Sequence, residues 1–166
     1  MSRLDSAIRR LQAQRACLDL GASLLRELPG LVVELGLGNG RTYDHLRSIL
    51  PDREIFVFER EVRAHPDCIP EASHLFLGDL RETLPAATRR LGGQVALLHS
   101  DIGTGDPEET AALTAEIAPW LVRLLRPDAI VASDQPLEHA ALRPLPPPED
   151  VRPGRYFLYR AGITTL

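Results

Sequence analysis

Leu31-Val32-Val33-Glu34-Leu35-Gly36-Leu37-Gly38-Asn39-Gly40 is the stretch on which the fold turns. Its first half is a short, nearly continuous apolar run, as a strand covered on both faces requires. Its second half is a glycine turn, G-x-G-x-G. Tyr43, Leu46, Ile49 and Leu50 then mark one face of a helix that Pro51 ends. Strand, glycine turn and helix in that order open a βαβ unit.

The same alternation continues downstream. Ile55–Phe58, His74–Leu77, Val95–His99 and Ala129–Ala132 read as further buried strands, and Tyr156–Tyr159 as a last one. Leu80, Leu84, Ala87 and Leu91 suit a helix despite Pro85. Asp106-Pro107-Glu108-Glu109 is a helix start, with a capping aspartate, proline at the first helical position and glutamates at the positive end of the dipole. Pro119 inside that helix predicts a kink or a split. Pro66 and Pro70 keep any helix in their stretch short. Upstream, residues 2–28 have helical spacing, with a possible capping box from Ser2 and Asp5. Gly21 weakens the middle of that helix, which either covers the sheet or forms an oligomer surface. Residues 135–153, with six prolines, read as a loop. The expected fold is α/β: a doubly wound, mostly parallel, Rossmann-like sheet with helices on both faces. Residues 1–30 are the N-terminal helical segment and residues 31–166 the ligand-binding domain.

Composition narrows the partners. The 166 residues suit one domain, and 44% hydrophobic with 25% charged residues is the balance of a globular chain. Nineteen basic against 23 acidic residues give −4, and every basic residue is Arg. A net-negative chain suits a polyanion poorly, so no nucleic-acid partner is expected. Arg9-Arg10 and Arg89-Arg90 read as solvated helix faces. All four phenylalanines fall in the expected strands, away from stacking positions. No apolar run reaches membrane-spanning length, and the first residues have no signal-peptide core. Cys17 and Cys68 are too few for a disulfide framework or a zinc site, and the histidines lack ligand spacing, so no metal is expected. A cytoplasmic location with reduced thiols is the default expectation.

In such sheets ligands bind beyond the carboxyl ends of the strands. The residues found there are the glycine turn after the first strand, Glu59 after the second, Gly78-Asp79 after the third, His99-Ser100-Asp101 after the fourth and Asp134 after the fifth. Glycines let a ligand approach the backbone, and a carboxylate at Glu59 can accept the hydroxyls of a ribose. The dinucleotide fingerprint G-x-G-x-x-G/A fails, because Arg41 fills its last slot. The phosphate-binding P-loop fails in a chain without lysine. What remains is E-x-G-x-G-x-G from Glu34 to Gly40.

That segment, with Glu59, Gly78-Asp79 and Asp101, resembles a class I S-adenosylmethionine-dependent methyltransferase. Gly36 to Leu46 is similar to a small bacterial family of stand-alone methyltransferase domains with an unidentified acceptor. The resemblance covers roughly residues 31–135. It implies S-adenosyl-L-methionine as cofactor, and a cofactor site of Glu34, Gly36, Gly38, Gly40, Glu59, Asp79, Leu80, Ser100 and Asp101. In that site Gly36, Gly38 and Gly40 line the methionyl part, Glu59 binds the ribose and Asp79 faces the adenine. Asp101 is the candidate general base, and a cofactor contact or helix cap is its competing role. His99 reads as a packed strand residue. The expected acceptor is a small molecule, with a homo-oligomer through the N-terminal helix as a further possibility.

Members of the broad class end in an antiparallel hairpin, and only one of its strands is evident here. Many also carry an acceptor-binding domain, for which this chain has no room. Two other readings stand beside the enzyme: a non-catalytic nucleoside-binding or scaffold protein, and an NAD-linked oxidoreductase. The Pro-rich 135–153 segment follows the fifth strand and is expected to border the acceptor site.

Overall fold

The computed structural model describes residues 2–25 and 27–162. Its elements are α1 (Arg3–Leu24), β1 (Leu31–Leu35), α2 (Arg41–Ile49), β2 (Ile55–Glu59), β3 (Leu75–Leu77), α3 (Leu80–Leu91), β4 (Val95–Ser100), α4 (Pro107–Leu124), β5 (Leu125–Ser133), β6 (Leu142–Leu145) and β7 (Phe157–Ala161). Two short 3-10 turns lie between β2 and β3. The strands form one sheet in the order β3-β2-β1-β4-β5-β7-β6. β1 to β5 are parallel, and β7 runs antiparallel to both β5 and β6. This is the expected single-domain, doubly wound α/β architecture. The order reverses between β1 and β4, so their carboxyl ends splay apart into a crevice.

The apolar runs form the central strands because both faces are covered. Every residue of β4 is buried. Val33, Leu35, Phe56, Phe58, Leu98 and Val131 face α3 and α4. Val32, Ile55, Val57, Leu97 and Ile130 face α1 and α2. Ser2 and Asp5 form the capping box of α1, with Asp5 N–H donating to Ser2 Oγ at 3.0 Å and Ser2 N–H to Asp5 Oδ2 at 2.9 Å. At Gly21 α1 lies close on the sheet: a side-chain carbon there would lie 3.2 Å from Leu97 and 3.6 Å from Ile130. The helix therefore covers a sheet face through Ala13, Cys17 and Leu18, while Leu4 and Ile8 stay exposed. Among the described residues no helix is long and apolar enough to cross a membrane.

Three sequence expectations are corrected. α4 continues through Pro119 as one helix, so of the expected kink or split the split does not occur. The carbonyl that loses its partner belongs to Ala115, and both residues are exposed, so water can satisfy it. Residues 135–153 are not only a loop, because they contain β6. That strand is the missing partner of β7 and completes the terminal hairpin. Pro144 is tolerated in β6 because the strand is the sheet's outer edge, where a missing N–H breaks no ladder. Beyond Gly162 the C-terminal stretch, too short in sequence to supply that partner, lies outside the described residues. Finally, the first helix ends at Leu24, short of the expected 28.

Candidate functional site

The turn after β1 holds three glycines, all at positive φ. Gly36 has φ +85°, and a side-chain carbon there would sit 2.3 Å from the Asp101 carbonyl oxygen. Gly40 has φ +83°, and its carbon would collide with Cys68 Cβ at 2.4 Å. Gly38 has φ +53° with nothing within 4 Å, so its freedom is toward open space. Gly36 and Gly40 thus permit backbone packing, and Gly38 leaves room. Gly36→Ala is expected to destabilise the fold by about 2–3 kcal/mol, a left-handed residue plus a backbone clash. Gly38→Ala should cost only about 1 kcal/mol. Denaturant melts of the two variants measure the difference.

A cavity of about 280 Å³ lies beyond the strand ends, and Gly36, Gly38, Glu59, Asp79, Leu80, Asp101 and Thr104 are among its walls. Glu59 closes β2, the neighbour of β1. Its Oε2 accepts from the Gly38 N–H at 2.9 Å, and its Oε1 from the N–H groups of Arg60 at 2.6 Å and Glu61 at 3.2 Å. The carboxylate is thereby fixed beside the glycine turn. Asp79 caps α3, accepting from the Arg81 N–H at 2.8 Å. Asp101 follows β4, and its Oδ2 accepts from Gln14 Nε2 at 2.8 Å and Arg10 Nη1 at 3.3 Å. α1 therefore reaches over the end of β4 to hold Asp101. Arg10, expected to be solvated, is one of the two groups that do so.

Glu34, Gly40 and Ser100 do not line this cavity. Glu34 is fully buried under α1 and α2, where it accepts from the Thr42 hydroxyl and pairs with His99 Nδ1 at 3.0 Å. His99 Nε2 in turn bonds the hydroxyl of Tyr156, itself buried. Glu34 and His99 stand directly opposite each other on β1 and β4. Burial alone would lower the His99 pKa, but the Glu34 carboxylate outweighs it and raises the value above 6.5. His99 is thus a packed strand residue whose protonated form the Glu34 carboxylate favours. Ser100 Oγ is buried and has no hydrogen-bond partner among the described residues. Asp134, after β5, is held above the usual carboxylate range by burial and by the neighbouring Asp101 charge.

Sequence reasoning missed Arg10, Gln14 and Tyr156. Their contacts join segments far apart in the chain, and no local spacing announces them. None of residues 135–153 lines this cavity or the adjoining one between α1 and the glycine turn. Asp150, Val151 and Arg152 line a separate cavity together with residues of α1. Within the segment, Gln135 Nε2 donates to Oδ2 of Asp134, itself a wall of the adjoining cavity, at 3.0 Å.

The crevice fits a nucleoside with an amino-acid tail. A fixed carboxylate on β2 stands beside a glycine turn with open space at Gly38, and α2 begins there with no side-chain cap on its N–H groups. Comparison with known proteins agrees. The family model described as S-adenosyl-L-methionine methyltransferase matches residues 1–161. A solved structure described as S-adenosyl-L-methionine methyl transferase from Silicibacter pomeroyi DSS-3 is 43% identical, covering 98% of this chain and 99% of that one, with a TM-score of 0.92. More distant structures share the fold alone. Human methyltransferase-like protein 13, solved in complex with SAH, is 14% identical over 91% of this chain and 80% of its own, with a TM-score of 0.58. The antibiotic-resistance methyltransferase Kmr is 13% identical over 89% of this chain and 92% of its own, with a TM-score of 0.56. No match was found among curated proteins. A glycine turn and a fixed acidic group at the sheet's switch point, in a chain matched over nearly its whole length, place this protein in the S-adenosyl-L-methionine methyltransferase family, as an enzyme that uses that cofactor.

Proposed function

We propose that the protein methylates a small molecule. Glu59 holds the cofactor's ribose, Asp79 and Leu80 flank its adenine, and Gly36 and Gly38 line its methionyl end. The observation that carries this assignment is the Glu59 carboxylate bound to the Gly38 N–H within one crevice. When bound, S-adenosylmethionine supplies a sulfonium methyl group already activated for in-line displacement. The chain's task is therefore chiefly alignment, which can supply about 7–11 kcal/mol of a barrier. Asp101 is set to take the proton that an ionisable acceptor loses as its new bond to carbon forms. Arg10 and Gln14 fix that carboxylate, and Oδ1 takes no hydrogen bond among the described residues. The exposed Leu4 and Ile8 also fit a homo-oligomer formed through α1, whose mass light scattering reads directly.

Removing the ribose contact tests the assignment. Glu59→Ala should weaken S-adenosylhomocysteine binding by about 1.5–3 kcal/mol, roughly ten- to hundredfold, because charge-assisted hydrogen bonds are lost. Calorimetric titration measures it, and an unchanged affinity would remove Glu59 from the site.

A further inference from the structure

Two cavities meet where β1 and β4 end. The cofactor crevice and a second cavity of about 500 Å³ share Gly36, Gly38, Asp101 and Gly103. The second cavity includes none of Glu59, Asp79 and Leu80, and so lies away from the adenosine end. It is bounded by α1 through Arg10 and Gln14, by the start of α2 through Arg41, and by Asp134. It is the space beside the methionyl end that an acceptor can occupy. This inference rests on the cofactor filling the first cavity.

Charge is sorted within that space. Asp101 belongs to both cavities and Asp134 to the second, where Asp134 Oδ2 accepts from Gln135 Nε2 at 3.0 Å and Oδ1 from the Ile102 N–H at 3.4 Å. The Asp101 charge is met by Arg10 at 3.3 Å. Burial, followed by the proximity of Asp101, favours the neutral form of Asp134. Arg41 belongs to the second cavity and not the first, and it forms no ion pair among the described residues. The cavity therefore has a proton-accepting end at its junction with the crevice and an uncompensated guanidinium away from it. A guanidinium presents a planar fork of donors that matches an oxyanion. Arg41 is exposed, so water meets its charge until an acceptor binds; an anionic acceptor would pair with it and a cationic one would be repelled.

We propose that the methyl acceptor is a small acid, with a hydroxyl or amino nucleophile at Asp101 and Asp134 and a carboxylate or phosphate held by Arg41. The rival partner for Arg41 is the carboxylate of the cofactor's own methionyl tail, and the test separates the two.

Wild-type protein is first saturated with S-adenosylhomocysteine and then titrated with benzoate, inorganic phosphate and neutral benzamide. At least one oxyanion should bind about tenfold more tightly than benzamide, as a charge-assisted pair requires. Arg41→Gln should abolish that preference and leave S-adenosylhomocysteine affinity within about twofold. Equal binding of benzamide, no oxyanion binding, or a preference that survives Arg41→Gln overturns the proposal. So does a loss of S-adenosylhomocysteine affinity in Arg41→Gln while methylthioadenosine, which lacks the carboxylate, binds as before, because Arg41 then serves the cofactor. Failure of the wild type to bind S-adenosylhomocysteine overturns the cofactor assignment itself and is seen before any oxyanion is added.

Discussion

Glu34→Ala is expected to lower the unfolding free energy by about 3–5 kcal/mol, the usual cost of removing one partner from a buried ion pair. Glu34 and His99 are both fully shielded from solvent, and Tyr156 is 2% exposed. Deleting the carboxylate leaves His99 Nδ1 and the Thr42 hydroxyl without an acceptor in the packed layer under α1. The His99 pKa is raised in the folded protein, so the sign of its contribution is fixed. Stabilisation from this group is complete below the unfolded value of about 6.5 and fades as pH rises through the folded value. Denaturant melts from that pH upward should show the wild type losing stability by this route, with the slope gone in Glu34→Ala. A variant as stable as wild type would show that the pair is not holding β1 to β4.

Asp101→Asn is expected to slow methyl transfer to an ionisable acceptor by about 100- to 10,000-fold, the range for loss of a positioned general base. Asparagine can still accept from Gln14 and Arg10 through its remaining oxygen, so the fold around it should persist. S-adenosylhomocysteine affinity should change little, which separates a loss of proton transfer from a loss of binding. Turnover rates on the same acceptor, with cofactor titrations alongside, make the comparison. A rate within a few fold of wild type would assign Asp101 to cofactor contact or to structure.

The sheet was legible in the chain because strands covered on both faces must be apolar throughout. Ile55–Phe58 and Val95–His99 could hardly be anything else. The edge strand Leu142–Leu145 was not legible, since its Arg143 and Pro144 are exposed and its prolines have the composition of a loop. Pro119 misled for a related reason: whether it breaks a helix depends on whether the orphaned carbonyl is wet, which is a tertiary fact. Among the walls of the candidate cavity, Gly38, Glu59, Asp79 and Asp101 follow from one rule, that ligands gather at strand ends. Glu34 belongs to the same motif yet turns inward, because its neighbour across the sheet is His99. A motif fixes which residue occurs, and the partner on the next strand decides what it does. The roof formed by Arg10 and Gln14 could not be read at all, since 91 and 87 residues separate them from Asp101.

Electron density after co-crystallisation with S-adenosylhomocysteine addresses the account most directly. It should place the ribose hydroxyls on Glu59, the adenine between Asp79 and Leu80, and the sulfur beside Gly36 and Asp101, facing the cavity under α1. A ligand bound elsewhere, or a crevice whose Glu59 meets only the backbone of residues 38, 60 and 61 at saturating ligand, would contradict it.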